Sequence, residues 1–348
     1  MPFLGNYIRN LVSVATGRQP SRPLLFSYYV THRCELNCAY CSDGDGKRFK
    51  EERIPELSTP QACRLISTLS REGDTLDVTG GEPMLREDLE EILAHARRAR
   101  MRTVLNTKGI GLEDRPDLLD HVSVLVLSVD SLDAGRLAEM IGRDAATAER
   151  ILGALDFALA RRPRPAAGPP RRAHRPQAGF RLVLSAVASP ANLGDVSRVA
   201  AFATERGLGF HLSPQIVGTE VNPELRGNAA YEALVEEVLR LKRRRRGILG
   251  VPQYFRGIRR FSPFRCHPFL MPVVRPDGRL YYPCLESKRA EISLLEAGSF
   301  RSALRASRER FGDVPECGAC CHIFCHMGLS LLQRHPLAAA GEWRHWRN

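Results

Sequence analysis

Six stretches rich in β-branched and aromatic residues, at 25–31, 75–79, 102–107, 122–129, 181–188 and 208–212, alternate with stretches whose apolar residues recur at helical spacing. Such alternation implies parallel strands joined by right-handed crossovers, which restricts the chain to a β/α barrel or a doubly wound sheet. Periodicity does not choose between the two. Ser58-Thr59-Pro60 supplies a cap and a first-turn proline for one helix, with Ala62, Leu65, Ile66 and Leu69 as its buried face and Cys63 packed beside it. Further helices are expected over 86–100, where Leu89, Ile92, Leu93 and Ala96 share a side, and over 144–161 and 192–206. The rhythm breaks at 162–179, a proline- and arginine-rich stretch with no apolar face, which reads as a mobile surface loop.

The first strand runs into VTHRCELNCAYCS, residues 30–42, which sets Cys34, Cys38 and Cys41 in a C-x-x-x-C-x-x-C array. Three thiolates this close face one metal centre. A zinc ribbon would want a matched second pair of cysteines. An iron–sulfur cube held by three thiolates instead keeps one iron open to a further ligand. Directly after the second strand comes Gly80-Gly81-Glu82-Pro83. Paired glycines let backbone approach a ligand closely, and the carboxylate can accept from an ammonium group, although such a sequence by itself is a βα turn.

Placed one βα unit apart, these motifs resemble those of the radical S-adenosylmethionine (radical SAM) superfamily. The resemblance implies an α/β fold, a six-unit partial (β/α) barrel with the cluster loop after its first strand. It implies a 4Fe-4S cluster on Cys34, Cys38 and Cys41, whose open iron takes the amino and carboxylate groups of SAM, with Gly80, Gly81, Glu82 and Pro83 at the methionyl amino group. Tyr40 matches the adenine-side position, and Asn106, Ser128 and Asp130 stand where the family contacts ribose and carboxylate. Polar residues at the carboxyl ends of barrel strands face the site, while Ser128 and Asp130 read equally as the cap of the next helix. His32 and Arg33 flank the loop without an assignable role. The implied chemistry is reductive cleavage of SAM to a 5'-deoxyadenosyl radical that abstracts hydrogen from substrate.

With 348 residues, 43% of them hydrophobic and 26% charged, the chain can hold one large domain and a smaller one. The expected divisions are an extension at 1–24, the barrel at 25–228, a connecting helix and linker at 229–265, a cysteine-rich unit at 266–330 and a tail at 331–348. No cationic leader and no run of 18 apolar residues occur, so a cytoplasmic location is expected, in which ten cysteines serve metal or redox chemistry. The net charge of +12 is concentrated in part at 161–175 and 242–246 without interleaved aromatics, and no nucleic-acid partner is expected. Residues 242–246 read as a solvated last helical turn. In the extension, Leu4, Ile8, Leu11, Val12 and Ala15 form an amphipathic pattern expected to pack on the barrel, with membrane contact as the alternative.

Six of the ten cysteines lie from Cys266 onward. Residues 273–284, VVRPDGRLYYPC, read as a hairpin turned by Pro-Asp-Gly, and Cys317-x-x-Cys320-Cys321-x-x-x-Cys325 follows a helical stretch. This resembles the SPASM/twitch extension of radical SAM enzymes and implies an auxiliary 4Fe-4S cluster on Cys266, Cys284, Cys317 and Cys320, with Cys321 and Cys325 as alternates. A full SPASM domain carries seven cysteines and two such clusters, so six favour one. The competing reading is a zinc site drawn from Cys317, Cys320, His322, Cys325 and His326. The function expected is a radical SAM enzyme acting on a peptide or small molecule, served by a reducing partner such as flavodoxin or ferredoxin. About 25 residues before the first strand are too few for an ordinary peptide-leader domain, which weighs against a peptide substrate. The alternative is a noncatalytic Fe-S or zinc protein that binds an acidic partner such as RNA.

Overall fold

A computed structural model describes residues 2–41, 49–162, 179–244, 247–287, 289–314 and 321–346. After α1 (Pro2–Ala15), the strands β1 (Phe26–Thr31), β2 (Thr75–Gly80), β3 (Arg102–Thr107), β4 (Val124–Ser128), β5 (Arg181–Ala188) and β6 (Gly209–Pro214) pair in sequence order, each parallel to the next. The connections carry α2 (Thr59–Leu69), α3 (Leu89–Arg98), a 3-10 turn at Pro116–His121, α4 (Ala134–Ile141) with α5 (Ala145–Arg161), and α6 (Leu193–Glu205). A strand order that never reverses puts every right-handed crossover on the same face, and the sheet curls into a partial barrel; a doubly wound sheet would reverse at a switch point.

Side chains on the helix face of the sheet are fully enclosed: Phe26, Tyr28 and Val30 of β1, Leu76 and Val78 of β2, Leu125 and Leu127 of β4, Phe210 and Leu212 of β6. Their alternates point inward, and many are polar and only half-buried, among them Asp77, Thr79, Asn106, Ser128, His211 and Ser213. The barrel interior therefore keeps accessible polar surface, unlike a lumen packed shut with branched side chains. Val124, Val126, Val183 and Leu249 form an apolar layer against which Phe324 packs.

Beyond β6 come a small antiparallel pair, β7 (Ile216–Val217) and β8 (Glu220–Val221), then α7 (Ala229–Arg244), α8 (Pro252–Arg260) and β9 (Val273–Val274), followed by α9 (Leu294–Ala297), α10 (Phe300–Phe311), α11 (Phe324–Arg334) and α12 (Pro336–Trp346). The hairpin turn forms where expected, with the Gly278 amide donating to the Arg275 carbonyl at 2.9 Å. Its first arm, β9, pairs in parallel with β1 through Ser27–Val273 and Tyr28–Val274, adding a seventh strand to the barrel sheet.

Three sequence expectations are corrected. The extension does not lay its apolar stripe on the barrel. Asn6 and Asn10 face inward instead, Asn6 donating to the carbonyls of Pro23 and Glu72 and Asn10 to that of Arg22, all at 2.8 Å. Backbone acceptors there need donors, which amide side chains supply and apolar ones cannot. At the end of α7, Lys242 is buried rather than solvated, its Nζ 2.6 Å from Glu342 Oε1 and 2.9 Å from the Ile248 carbonyl. The segment read as a tail forms the last turn of α11 and then α12, held by that ion pair and by Tyr7, whose hydroxyl donates to the Leu332 carbonyl at 3.0 Å. The stretch 163–178, most of the proline- and arginine-rich loop, lies outside the described residues, as do 245 and 246.

Candidate active site

The loop after β1 places Cys34 half-buried, Cys38 buried and Cys41 exposed, none of them in a disulfide. It lies on the end of α4: the amide of Asn37 donates to the Ile141 carbonyl at 2.8 Å and that of Ala39 to the Met140 carbonyl at 3.1 Å. Leu36 and Cys38 pack there against Leu137, Ala138 and Ile141. Burial raises the Cys34 thiol above its ordinary pKa, so thiolate ligation at this position draws on the charge of a metal.

The turn after β2 is bonded to this loop by backbone. Gly81 N donates to Thr31 O at 2.9 Å and Glu82 N to Arg33 O at 2.8 Å. A Cβ at Gly80 would stand 2.1 Å from the Thr31 carbonyl oxygen, and one at Gly81 2.2 Å from that of Arg33. The paired glycines thus serve the approach of two protein loops. Pro83 is buried in the 3-10 turn that follows. Arg33 braces the same junction, pairing with Glu56 at 2.8 Å and donating to the Leu85 carbonyl at 3.2 Å.

Glu82 is buried and aimed into the protein. Its Oε1 accepts from Met84 N at 3.0 Å and from the Thr107 hydroxyl, and its Oε2 accepts from Lys108 N at 2.9 Å. Burial raises its pKa, and these hydrogen bonds with the Lys108 charge offset only part of that rise. The side chain joins the ends of β2 and β3.

Lys108 is a residue the sequence reading missed. Its Nζ lies 2.8 Å from Asp130 Oδ2 and 3.0 Å from the Tyr40 hydroxyl, which itself donates to Asp130. Asp130 Oδ1 accepts from Val187 N at 2.8 Å. Burial works against the Lys108 charge, but Asp130 and its hydrogen bond overcome it and raise the pKa, so the ammonium form is held. Burial and the Asp130 charge push the Tyr40 phenol far up. Tyr40, Lys108 and Asp130 come from three different loops and meet at the carboxyl end of the barrel, where Ser128 donates to Asn106 Oδ1 at 3.2 Å. The missed signal was strand alternation: position 108 continues the inward set of 104 and 106 along β3.

Deeper in the barrel, Asp77 accepts from the Ser27 hydroxyl at 3.0 Å, and burial lifts its pKa to about 6. Cys325 packs in the same region with Tyr29 and Tyr281, and burial, aided by the Asp77 charge, pushes its thiol up to about 12. Cys321 is buried, and Cys266 and Cys284 are half-buried. Cys317 and Cys320 lie outside the described residues. Among the described residues, no three His, Cys, Asp or Glu side chains converge at metal-binding distance.

The described residues thus form a partial parallel barrel with a three-cysteine loop after its first strand, zipped by backbone to a Gly-Gly-Glu-Pro turn after its second. Residues 28–164 match the model of the Radical SAM superfamily, whose cofactors are a 4Fe-4S cluster and SAM. The donor set fits such a cluster: three soft sulfur ligands on one loop, none of them in a disulfide. Over 139 residues the chain is 36% identical to a probable GTP 3',8-cyclase of Halobacterium salinarum, covering 38% of this chain and 39% of that one. Over 135 residues it is 34% identical to a PqqA peptide cyclase of Gluconobacter oxydans, covering 36% of each. The chain thus spans less than two fifths of the length of these curated relatives. The crystal structure of Streptococcus suis SuiB bound to its precursor peptide SuiA shares the fold, with a TM-score of 0.60 at 14% identity over 88% of this chain and 71% of that one.

Proposed function

We propose that the chain is a radical SAM enzyme that abstracts hydrogen from a peptide or small-molecule substrate. The observation carrying this reading is the backbone junction between the cysteine loop and the Gly80–Pro83 turn, with Tyr40, Lys108 and Asp130 converging at the same barrel mouth. Cys34, Cys38 and Cys41 would hold a 4Fe-4S cluster, which when bound supplies the electron for reductive cleavage of SAM. The chain's own residues bind and orient. Gly80, Gly81, Glu82 and Pro83, beside the cysteine loop, would take the methionyl amino group of SAM, and Glu82 also keeps the end of β3 in place. Asn106, Ser128, Asp130 and Tyr40 offer hydroxyl, amide and carboxylate groups suited to the ribose and adenine side of SAM. The half-buried inward side chains Asp77, Asn106 and His211 would offer a substrate polar partners.

A peptide substrate is favoured by likeness to the PqqA peptide cyclase and to SuiB, whose structure holds a precursor peptide. The cysteine-rich unit at 266–330 is assigned an auxiliary 4Fe-4S cluster on Cys266, Cys284, Cys317 and Cys320, with Cys321 and Cys325 as alternates, assisting oxidation or bond formation. A flavodoxin or ferredoxin would deliver electrons. The test is anaerobic reconstitution followed by reduction in the presence of SAM: 5'-deoxyadenosine is the expected product. Full iron loading without cleavage, candidate peptides included, overturns the reading.

A further inference from the structure

The outward face of α1 is apolar. Leu4, Ile8 and Val12 are 55%, 52% and 60% exposed, one helical turn apart, and Leu11 and Ala15 fall on the same side of the wheel. The helix is held by its other face, through Asn6, Asn10 and Tyr7 and through the Phe3 amide, which donates to Asp74 at 3.1 Å. Leu337, 90% exposed, opens α12 just past the helix on which α1 packs. Four of the five large apolar side chains more than half exposed among the described residues therefore sit on α1 or beside its docking helix. An ordinary surface helix turns its polar side outward; this one turns the amides of Asn6 and Asn10 inward and leaves much of its hydrocarbon outside.

We propose that this face seats on an anionic lipid surface. The charge around it selects that occupant. No acidic residue occurs before Glu35, whereas Arg9 and Arg18 are exposed on and just after the helix, and Arg334 is exposed at the end of α11; the nearby carboxylates lie on the docked side, Asp74 accepting from the Phe3 amide and Glu72 pairing with Arg301. Apolar side chains with a basic rim suit the boundary between acyl chains and anionic headgroups. The contacts of α1 with Glu72 and Asp74 put it at the amino-terminal end of β2, opposite the end that carries Gly80 and the cysteine loop. Lipid binding there does not require the cysteine mouth to enter the bilayer, so the contact is a tether and not a route for a lipid substrate.

The test is co-sedimentation of the full chain with vesicles of equal phosphatidylglycerol and phosphatidylcholine, against pure phosphatidylcholine, alongside sedimentation velocity without lipid. Salt-sensitive binding to the anionic vesicles is expected. It should fall about tenfold or more in Leu4→Ser/Ile8→Ser/Val12→Ser and about fivefold or more in Arg9→Glu, with thermal unfolding unchanged because these side chains are exposed. Equal binding by the triple variant overturns the proposal, as does no binding by the parent chain. A dimer that the triple variant abolishes, without lipid binding, would show that a second copy covers the face.

Discussion

Glu82 accepts from Met84 N, Thr107 Oγ1 and Lys108 N, which fixes what its replacement does. In Glu82→Gln an NH2 group must face a donor, and leaving that buried donor unpaired costs roughly 1–3 kcal/mol. Urea unfolding of the metal-free variant should show this loss, whereas a carboxylate reserved for ligand would leave the metal-free stability unchanged. Asp77 behaves oppositely. Its folded pKa of about 6 lies above the ordinary carboxyl value of 3.8, so its contribution is most favourable below that value and is lost as pH rises through about 6. Asp77→Asn keeps the Ser27 bond and removes the charge. It should be more stable than the parent near pH 7 by about 1–2 kcal/mol, allowing for solvent screening of a half-buried group, with the two curves merging toward pH 4. At this scale the sequence announced Glu82 but not its internal partners, because those donors come from Thr107 and Lys108, a βα unit away. Lys108 itself went unread because a lysine after a strand looks like any surface cation until Asp130 and Tyr40 are brought to it.

Between elements, the buried Lys242–Glu342 pair joins the end of α7 to α12, with both side chains only 5% exposed. Burial dominates both partners, lowering the lysine pKa and raising that of the glutamate, so desolvation outweighs their mutual attraction. Removing one partner strands the other. Lys242→Met should cost about 3–5 kcal/mol in urea unfolding, while Lys242→Met/Glu342→Leu should recover most of that loss. Strands and helices were legible from periodicity, and the monotonic strand order supplied the barrel that periodicity left open. Which face of α1 turns inward was not legible. An amphipathic pattern marks two faces, and the choice was made by the carbonyls of Arg22, Pro23 and Glu72, which accept from Asn6 and Asn10. The run at 242–246 looked solvated because its acidic partner lies 100 residues further along the chain.

For the whole molecule, the two cysteine groups make separable expectations. Replacing Cys34, Cys38 and Cys41 by alanine should leave roughly four irons per chain and no SAM cleavage. Replacing Cys266 and Cys284 should also leave roughly four, with cleavage of SAM uncoupled from product, since one cube survives in each variant. Metal analysis and Mössbauer spectra decide: zinc in place of iron in the first variant refutes the auxiliary cluster, and roughly eight irons point to a second one. The two regions are joined by more than sequence. Leu24 N donates to the Leu270 carbonyl at 2.8 Å and Ser27 N to that of Pro272 at 3.0 Å, laying β9 along β1. A chain cut after β6 would therefore lose the outer neighbour of β1 and uncover main-chain donors beneath the cysteine loop. An uncovered strand margin recruits other chains, so the barrel expressed alone should self-associate into aggregates, and the cysteine-rich region doubles as its built-in chaperone.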